Sequence, residues 1–304
     1  MISFRYHLVS IIAVFLALAL GIVIGTTLLN GPVTDRLRND VNSLKHDRAD
    51  MNNRIKELQG QVGDAAEFAS TYGAQLVSDS LKGRNVLLVA LPGAASEDED
   101  GIARQVAAAG GTVSGRLGLT DQYIDPSGGE GIRSLATGGA RPIGLTLPTT
   151  QDPGQLGGVM LSYVLTGRGK ASDLTQVLSS FSELHMLSTD GNDVTPSTAV
   201  VVIGTGSMAK NSYAGATELA LVGWLAKFKA HVVVAGNAST AKAGGIVALV
   251  RDSQVRTTTS TVDNADSAAG QISTVLTLAA AEQDQVGHYG TGAGADALFP
   301  SPAK

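Results

Sequence analysis

The sequence predicts an α/β protein: one transmembrane helix, then a coiled-coil stalk, then a mainly parallel, Rossmann-like α/β domain. Three observations carry this. An apolar run with no charged residue fills Leu8 to Leu29. A four-three spacing of apolar residues starts at Leu37. From Val86 onward, short β-branched runs alternate with helical stretches. The implied organisation is a membrane anchor over 1–30, a stalk over 31–80, an α/β domain over 81–290 and a flexible tail over 291–304.

The first run, LVSIIAVFLALALGIVIGTTLL, extends roughly 33 Å as a helix, enough to cross a hydrocarbon core. Ser10, Thr26 and Thr27 are mild interruptions whose hydroxyls can bond back to helix carbonyls. A cleaved signal peptide is the rival reading. Its apolar region is usually about 7–15 residues and ends at a small-x-small site. This run is longer and no A-x-A site ends it, which favours an uncleaved anchor. Arg5 and His7 precede the helix, and Arg36, Arg38, Lys45 and Arg48 follow it. That count alone would hold the C-terminal side in the cytoplasm, but long domains cross despite their charge. The residues leave the orientation open. Ala13, Ala17, Gly21 and Gly25 recur every fourth residue, with Gly21 and Gly25 forming G-x-x-x-G. Such a stripe lets two helix backbones approach closely.

In the stalk, Leu37, Val41, Leu44, Met51, Ile55, Leu58 and Val62 step by four and three, followed by Ala65, Ala69, Tyr72 and Leu76. Arg48 fills the one polar core slot, and Asp40, Lys45, Asp47 and Arg54 flank the seam. Sustained a/d patterning with charged flanks predicts a coiled coil. Gly60 and Gly63 each weaken a helix by roughly 1 kcal/mol against alanine, so a bend or fraying is expected there. The alternative is an amphipathic helix folded onto the soluble domain. Seam and small-residue stripe together point to a parallel homodimer.

In the soluble part, strands are expected at Val86–Ala90, Thr112–Leu117, Ile143–Leu147, Ala199–Ile203, His231–Ala235 and Val255–Thr261. Helices are expected from Ser96, near Gln155–Leu165 and Ala171–Leu184, at Ala216–Phe228, through Lys242–Val250 and at Asp266–Ala281. This alternation argues for a parallel sheet covered on both faces. Gly128–Pro153 reads as a loop or subdomain joint. The stretch after Gly290 should be poorly ordered.

Few motifs carry chemistry. Gly204-Thr-Gly206-Ser-Met-Ala209 follows a strand and fits G-x-G-x-x-A, yet the next strand ends at Gly236-Asn237 without the acid that a dinucleotide ribose needs. It reads as a structural turn. Glu97-Asp98-Glu99-Asp100 reads as a helix start, with Ser96 and Glu99 as a capping box. Asp190-Gly-Asn-Asp193 is only a fragment of a calcium loop. Gly167-Arg-Gly169-Lys170 lacks the spacing and the hydroxyl of a P-loop. Asp263, Asn264 and Asp266 sit between a strand and a helix, where they can cap the helix or face a ligand at the sheet's C-terminal edge. His185 and Met186 are the one adjacent pair of soft-metal donors and weak copper candidates. The other histidines are scattered, there is no cysteine, and no G-x-S-x-G or H-E-x-x-H occurs. No catalytic residue, resident cofactor or enzyme activity is expected. The net charge of −5 argues against nucleic acid.

The N-terminus Ile2-Ser-Phe-Arg-Tyr-His-Leu-Val-Ser-Ile-Ile-Ala-Val-Phe-Leu-Ala-Leu-Ala-Leu-Gly21 resembles the mycobacterial copper transport protein B family. NVLLVALPG at Asn85–Gly93, STVDN at Ser260–Asn264 and GHYG at Gly287–Gly290 are similar to it too. The resemblance covers essentially the whole chain. It implies an actinobacterial cell-envelope protein of copper efflux, described as an outer-membrane channel, with copper as the transported ion. It also implies a cytoplasmic N-terminus and an extracytoplasmic domain. It supplies no copper ligands. Related envelope proteins imply a second possibility, a non-enzymatic scaffold with a cell-division or peptidoglycan-hydrolase partner. A pore sits uneasily with the residues. One helix lines a channel only if several chains assemble, and a barrel needs many lipid-facing alternating strands.

Overall fold

In the computed structural model, which describes residues 4–189, 193–204 and 206–301 (without the side chains of 4–5 and 27–35), the chain divides into two units, Met1–Asp64 and Ala65–Lys304. Helix α1 spans Phe4–Val77. It runs through Gly60 and Gly63 without a break, because two isolated glycines cost too little to interrupt a helix of this length. Tyr6–Thr26 is long and apolar enough to cross a membrane. Thr26 Oγ1 donates to the Ile22 carbonyl at 2.9 Å, the back-bond expected of it. The seam side chains from Leu37 to Val62 are all exposed, from 43% at Val41 to 68% at Val62.

The second unit takes in the last turns of α1, from Ala65, which the sequence placed in the stalk. Next come β1 (Asn85–Ala90), α2 (Ser96–Ala108), β2 (Thr112–Leu119), α3 (Asp121–Ile124), α4 (Gly129–Thr137), α5 (Pro153–Leu165), α6 (Ala171–Glu183) and β3 (Leu187–Thr189). The chain continues through β4 (Ala199–Gly204), α7 (Tyr213–Lys227), β5 (His231–Gly236), α8 (Ile246–Arg251), β6 (Thr259–Val262), α9 (Ala268–Ala281) and β7 (His288–Tyr289). The strands form one sheet in the order β3-β2-β1-β4-β5-β6-β7. Every pair is parallel except β2 with β3, so the sheet is mixed.

Successive strand residues feed opposite cores, as strand geometry requires. Leu87, Val89, Val200, Val202, Val232 and Val234 pack under α4 to α8. Val86, Leu88, Val201, Ile203, Val233 and Ala235 pack under α2, α9 and the end of α1. Burial on both faces explains why these strands read as continuous apolar runs rather than as alternating ones. Local signals set the helix starts. Asp152 Oδ1 accepts from the Gln155 amide at 3.0 Å with Pro153 in the first turn. Ser212 and Ser267 cap α7 and α9 in the same way.

Three expectations are corrected. Ile143–Leu147 is not a strand: Gly144 takes φ +90° and Pro142 and Pro148 bracket the segment, so it cannot extend into a ladder. The strand expected at Val255–Thr261 begins only at Thr259, after a 3-10 turn over Gln254–Thr257. The helix expected through Lys242–Val250 starts at Ile246, because Gly244 holds φ +87°. Residues 291–297, where poor order was expected, carry hydrogen bonds to the rest of the unit, as described below.

Candidate functional site

The C-terminal edge of the parallel strands is where an α/β sheet offers ligand space. At β6 that edge is filled by a polar network. Asp263 follows the last residue of β6, and its side chain is fully buried. It accepts from Arg251 Nη1 at 2.7 Å, from the Thr291 amide at 2.7 Å and from the Gly292 amide at 3.0 Å. Arg251, whose side chain is 1% exposed, also donates to Thr261 Oγ1 at 2.8 Å, to the Tyr289 carbonyl at 2.8 Å and to the Ala293 carbonyl at 3.1 Å. Thr261 Oγ1 lies 3.0 Å from His288 Nδ1. The hydroxyl accepts from Arg251 and keeps both a proton and a lone pair for the ring, so either imidazole tautomer satisfies this contact. Burial, with Arg256 and Arg251 nearby, pushes the His288 pKa down to about 4 despite the opposing pull of Asp296. Arg256 clamps Asp296 at 2.7 Å, and Asp296 in turn accepts from the His288 amide. A buried ion pair is tolerated when its remaining hydrogen-bonding capacity is satisfied, as here.

The network joins STVDN to GHYG, two of the stretches that carry the family resemblance. A side chain at Gly290, which holds φ +123°, would collide with Asp263. Of the residues that the sequence offered for ligand contact, Asp263 therefore holds the chain's own C-terminal segment and is not free to serve a substrate, whereas Asn264 Oδ1 is buried without a partner and Asp266 is exposed. Arg251 was not legible because its partners lie 10 to 42 residues away, nor was the role of His288, whose ring meets Thr261 27 residues away.

The crevice between β1 and β4, where the strand order reverses, is closed by aliphatic groups. A Cβ at Gly204 would meet Ile246 Cγ2 at 2.7 Å and Leu91 Cδ1 at 3.4 Å. Gly206 takes φ +70° and α7 begins only at Tyr213, so no helix N-terminus directly follows the G-x-G-x-x-A turn. Thr205 lies outside the described residues. The expected capping box at Ser96 does not form: Ala95 is the N-cap, and Ser96 Oγ reaches only Glu97 Oε2 at 3.5 Å. The neighbouring acids turn to Arg116, with Asp100 at 2.6 Å and Glu99 at 3.7 Å. Asp98 is buried, and its pKa is raised by burial and then by Asp266 and Glu97.

A second buried polar group was missed. Glu218 on α7 is 2% exposed, and burial pushes its pKa up to about 8. Tyr123 lies nearby, fully buried, with its hydroxyl unpartnered. The one signal was a lone carboxylate inside the apolar stretch ATELALVGWLA. His185 is exposed at φ 57°, whereas Met186 is buried in the core against Gly128 and Gly131, so the two side chains do not converge. Among the described residues no group of three or more His, Cys, Asp or Glu could hold a metal ion. Residues 190–192 of the calcium-like fragment lie outside the described residues. Ala13, Ala17, Gly21 and Gly25 are exposed or partly so, with open space around Gly21 and Gly25.

Set against known proteins, residues 1–300 match the family described as "Copper transport outer membrane protein, MctB". The chain is 29% identical over 307 residues to "Copper transporter MctB" of Mycobacterium bovis and of Mycobacterium tuberculosis, covering 97% of this chain and 98% of each relative. It is 29% identical over 314 residues to the protein of the same name from Mycobacterium leprae, covering 98% of this chain and 99% of that relative.

Proposed function

The chain belongs to the copper transport outer membrane protein family, MctB, and from that premise we propose that it is a membrane-anchored envelope protein contributing to copper export and tolerance. The observation that carries this reading is the family match across residues 1–300, which takes in anchor, seam and α/β unit together. In this reading Tyr6–Thr26 is a single-pass anchor, the N-terminus is cytoplasmic and the α/β unit is extracytoplasmic. Two copies pair in parallel through Leu37, Val41, Leu44, Met51, Ile55, Leu58 and Val62, with the Ala13–Gly25 stripe as their contact in the bilayer. Exposure of every one of these seam side chains in the single chain supports the pairing.

Copper is cargo here, not a resident cofactor, and the protein is not an enzyme. One apolar span cannot by itself enclose an aqueous path, so the unit acts as part of an assembly. The test is the copper content of cells that lack the protein, measured in copper-supplemented medium. Copper should accumulate and fall again when the wild-type chain is restored; unchanged copper on deletion would refute the reading. A second reading, an envelope scaffold that positions a cell-wall or division partner, is supported by the layout of an apolar span, an exposed heptad seam and an α/β unit. It expects that partner to co-purify from membranes.

A further inference from the structure

Within the second unit, the last turns of α1 carry two apolar faces. One is consumed: Ala69 and Val77 are buried, and a Cβ at Gly73 would sit 2.7 Å from Ile272 Cδ1, so the helix lies tightly on α9. The other face is bare. Phe68, Tyr72 and Leu76 are 62%, 48% and 57% exposed, and the rings of Phe68 and Tyr72 lie 4.9 Å apart. Beside them is a cavity of about 350 Å³ walled by Phe68, Leu76, Ile272, Leu276 and Phe299, with Ser273 the one polar residue of its lining. Leu298, next to Phe299, adds one more exposed apolar side chain at the C-terminal end. A contiguous apolar patch of this kind marks an interaction site, and apart from the Ser273 hydroxyl the cavity walls carry no polar side chain.

The heptad count identifies the occupant. Val62, Ala65, Ala69, Tyr72 and Leu76 continue the four-three steps of the seam, and packing on α9 takes only Ala69 out of it. A parallel partner helix paired along the seam therefore brings its own Tyr72 and Leu76 to the same level. A two-fold axis sets like patch against like patch. We propose that the Phe68–Tyr72–Leu76 face and the adjoining cavity are a docking surface for a second copy of this chain, carrying the dimer contact from the stalk into the α/β unit. The proposal rests on the parallel-dimer reading above.

Because the chain has no cysteine, single cysteines report the contact without background. Leu44→Cys, Tyr72→Cys and, as control, Ile143→Cys on a distant exposed loop (83% exposed) are made in the full chain and treated in native membranes with a short bis-maleimide. The expected result is a crosslinked species of twice the chain mass for Leu44→Cys and Tyr72→Cys, and none for Ile143→Cys. Crosslinking of Leu44→Cys without Tyr72→Cys overturns the docking surface and leaves the dimer standing. Failure of both overturns the two together, and a Tyr72→Cys adduct of any other mass also overturns the proposal. Phe68→Asp, exposed and so compatible with folding, should weaken dimerisation of the detergent-solubilised chain roughly tenfold; an unchanged dissociation constant counts against it.

Discussion

Replacing Glu218 by glutamine should stabilise the protein at neutral pH and leave it unchanged in acid. The carboxyl is 2% exposed on α7, and burial holds its pKa at about 8, against 4.5 for the free group. A buried acid with a raised pKa folds protonated. The unfolded chain loses that proton near pH 4.5, so stability falls as pH rises from there until the folded group also ionises near pH 8. At pH 7 the gap is about 2.5 pH units at 1.36 kcal/mol each, or about 3 kcal/mol against folding. Glu218→Gln removes this term while keeping the shape. For a unit the size of Ala65–Lys304, about 3 kcal/mol corresponds to a rise of roughly 6–12 °C in Tm. Thermal melts of the full chain in detergent, followed by circular dichroism, should show this rise at pH 7 and almost none at pH 4.5. A variant that loses stability equally at both pH values would refute the reasoning, since it would mean that the packing of the Glu218 side chain, and not its ionisation, sets its effect on stability.

The C-terminal segment should loosen in acid. His288 folds neutral with a pKa near 4 against an ordinary 6.5, so the unfolded state takes up its proton first and stability falls as pH drops from 6.5 toward 4. About 2 kcal/mol should be lost by pH 5, read as lower amide protection factors (exchange corrected for its base-catalysed intrinsic rate) over residues 288–297; protection factors that do not respond to pH would contradict the burial of a neutral ring. Arg251→Met should cost about 3–5 kcal/mol in a denaturant titration, because it leaves the buried Asp263 carboxylate without its charge partner. Adding Asp263→Leu to Arg251→Met should recover part of that loss, and a double variant weaker than the sum of the single ones would contradict the ion-pair account.

How much of this was legible depended on how far each residue's partners lie along the chain. The strands VLLVA, AVVVI and HVVVA could be read because burial on both faces makes them uniformly apolar. Strands β3 and β7 could not, since three and two residues carry no period. Ile143–Leu147 looked strand-like by composition, but prolines and a left-handed glycine overrode it. The segment after Gly290 looked loose because it is rich in glycine. Those glycines instead let its backbone amides reach Asp263, an interaction spanning 28 and 29 residues that no local pattern announces. The four-three spacing is a pattern of the sequence; in the single chain its side chains from Leu37 to Val62 are exposed, while Ala69 further along is buried.

Copper retained by cells that carry seam variants measures most directly whether dimerisation and efflux are one property. Leu44→Asp with Leu58→Asp, in a chain that still reaches the membrane, should leave copper as high as in cells without the protein. Copper restored to the wild-type level by that monomeric chain would contradict the parallel pair as the working unit.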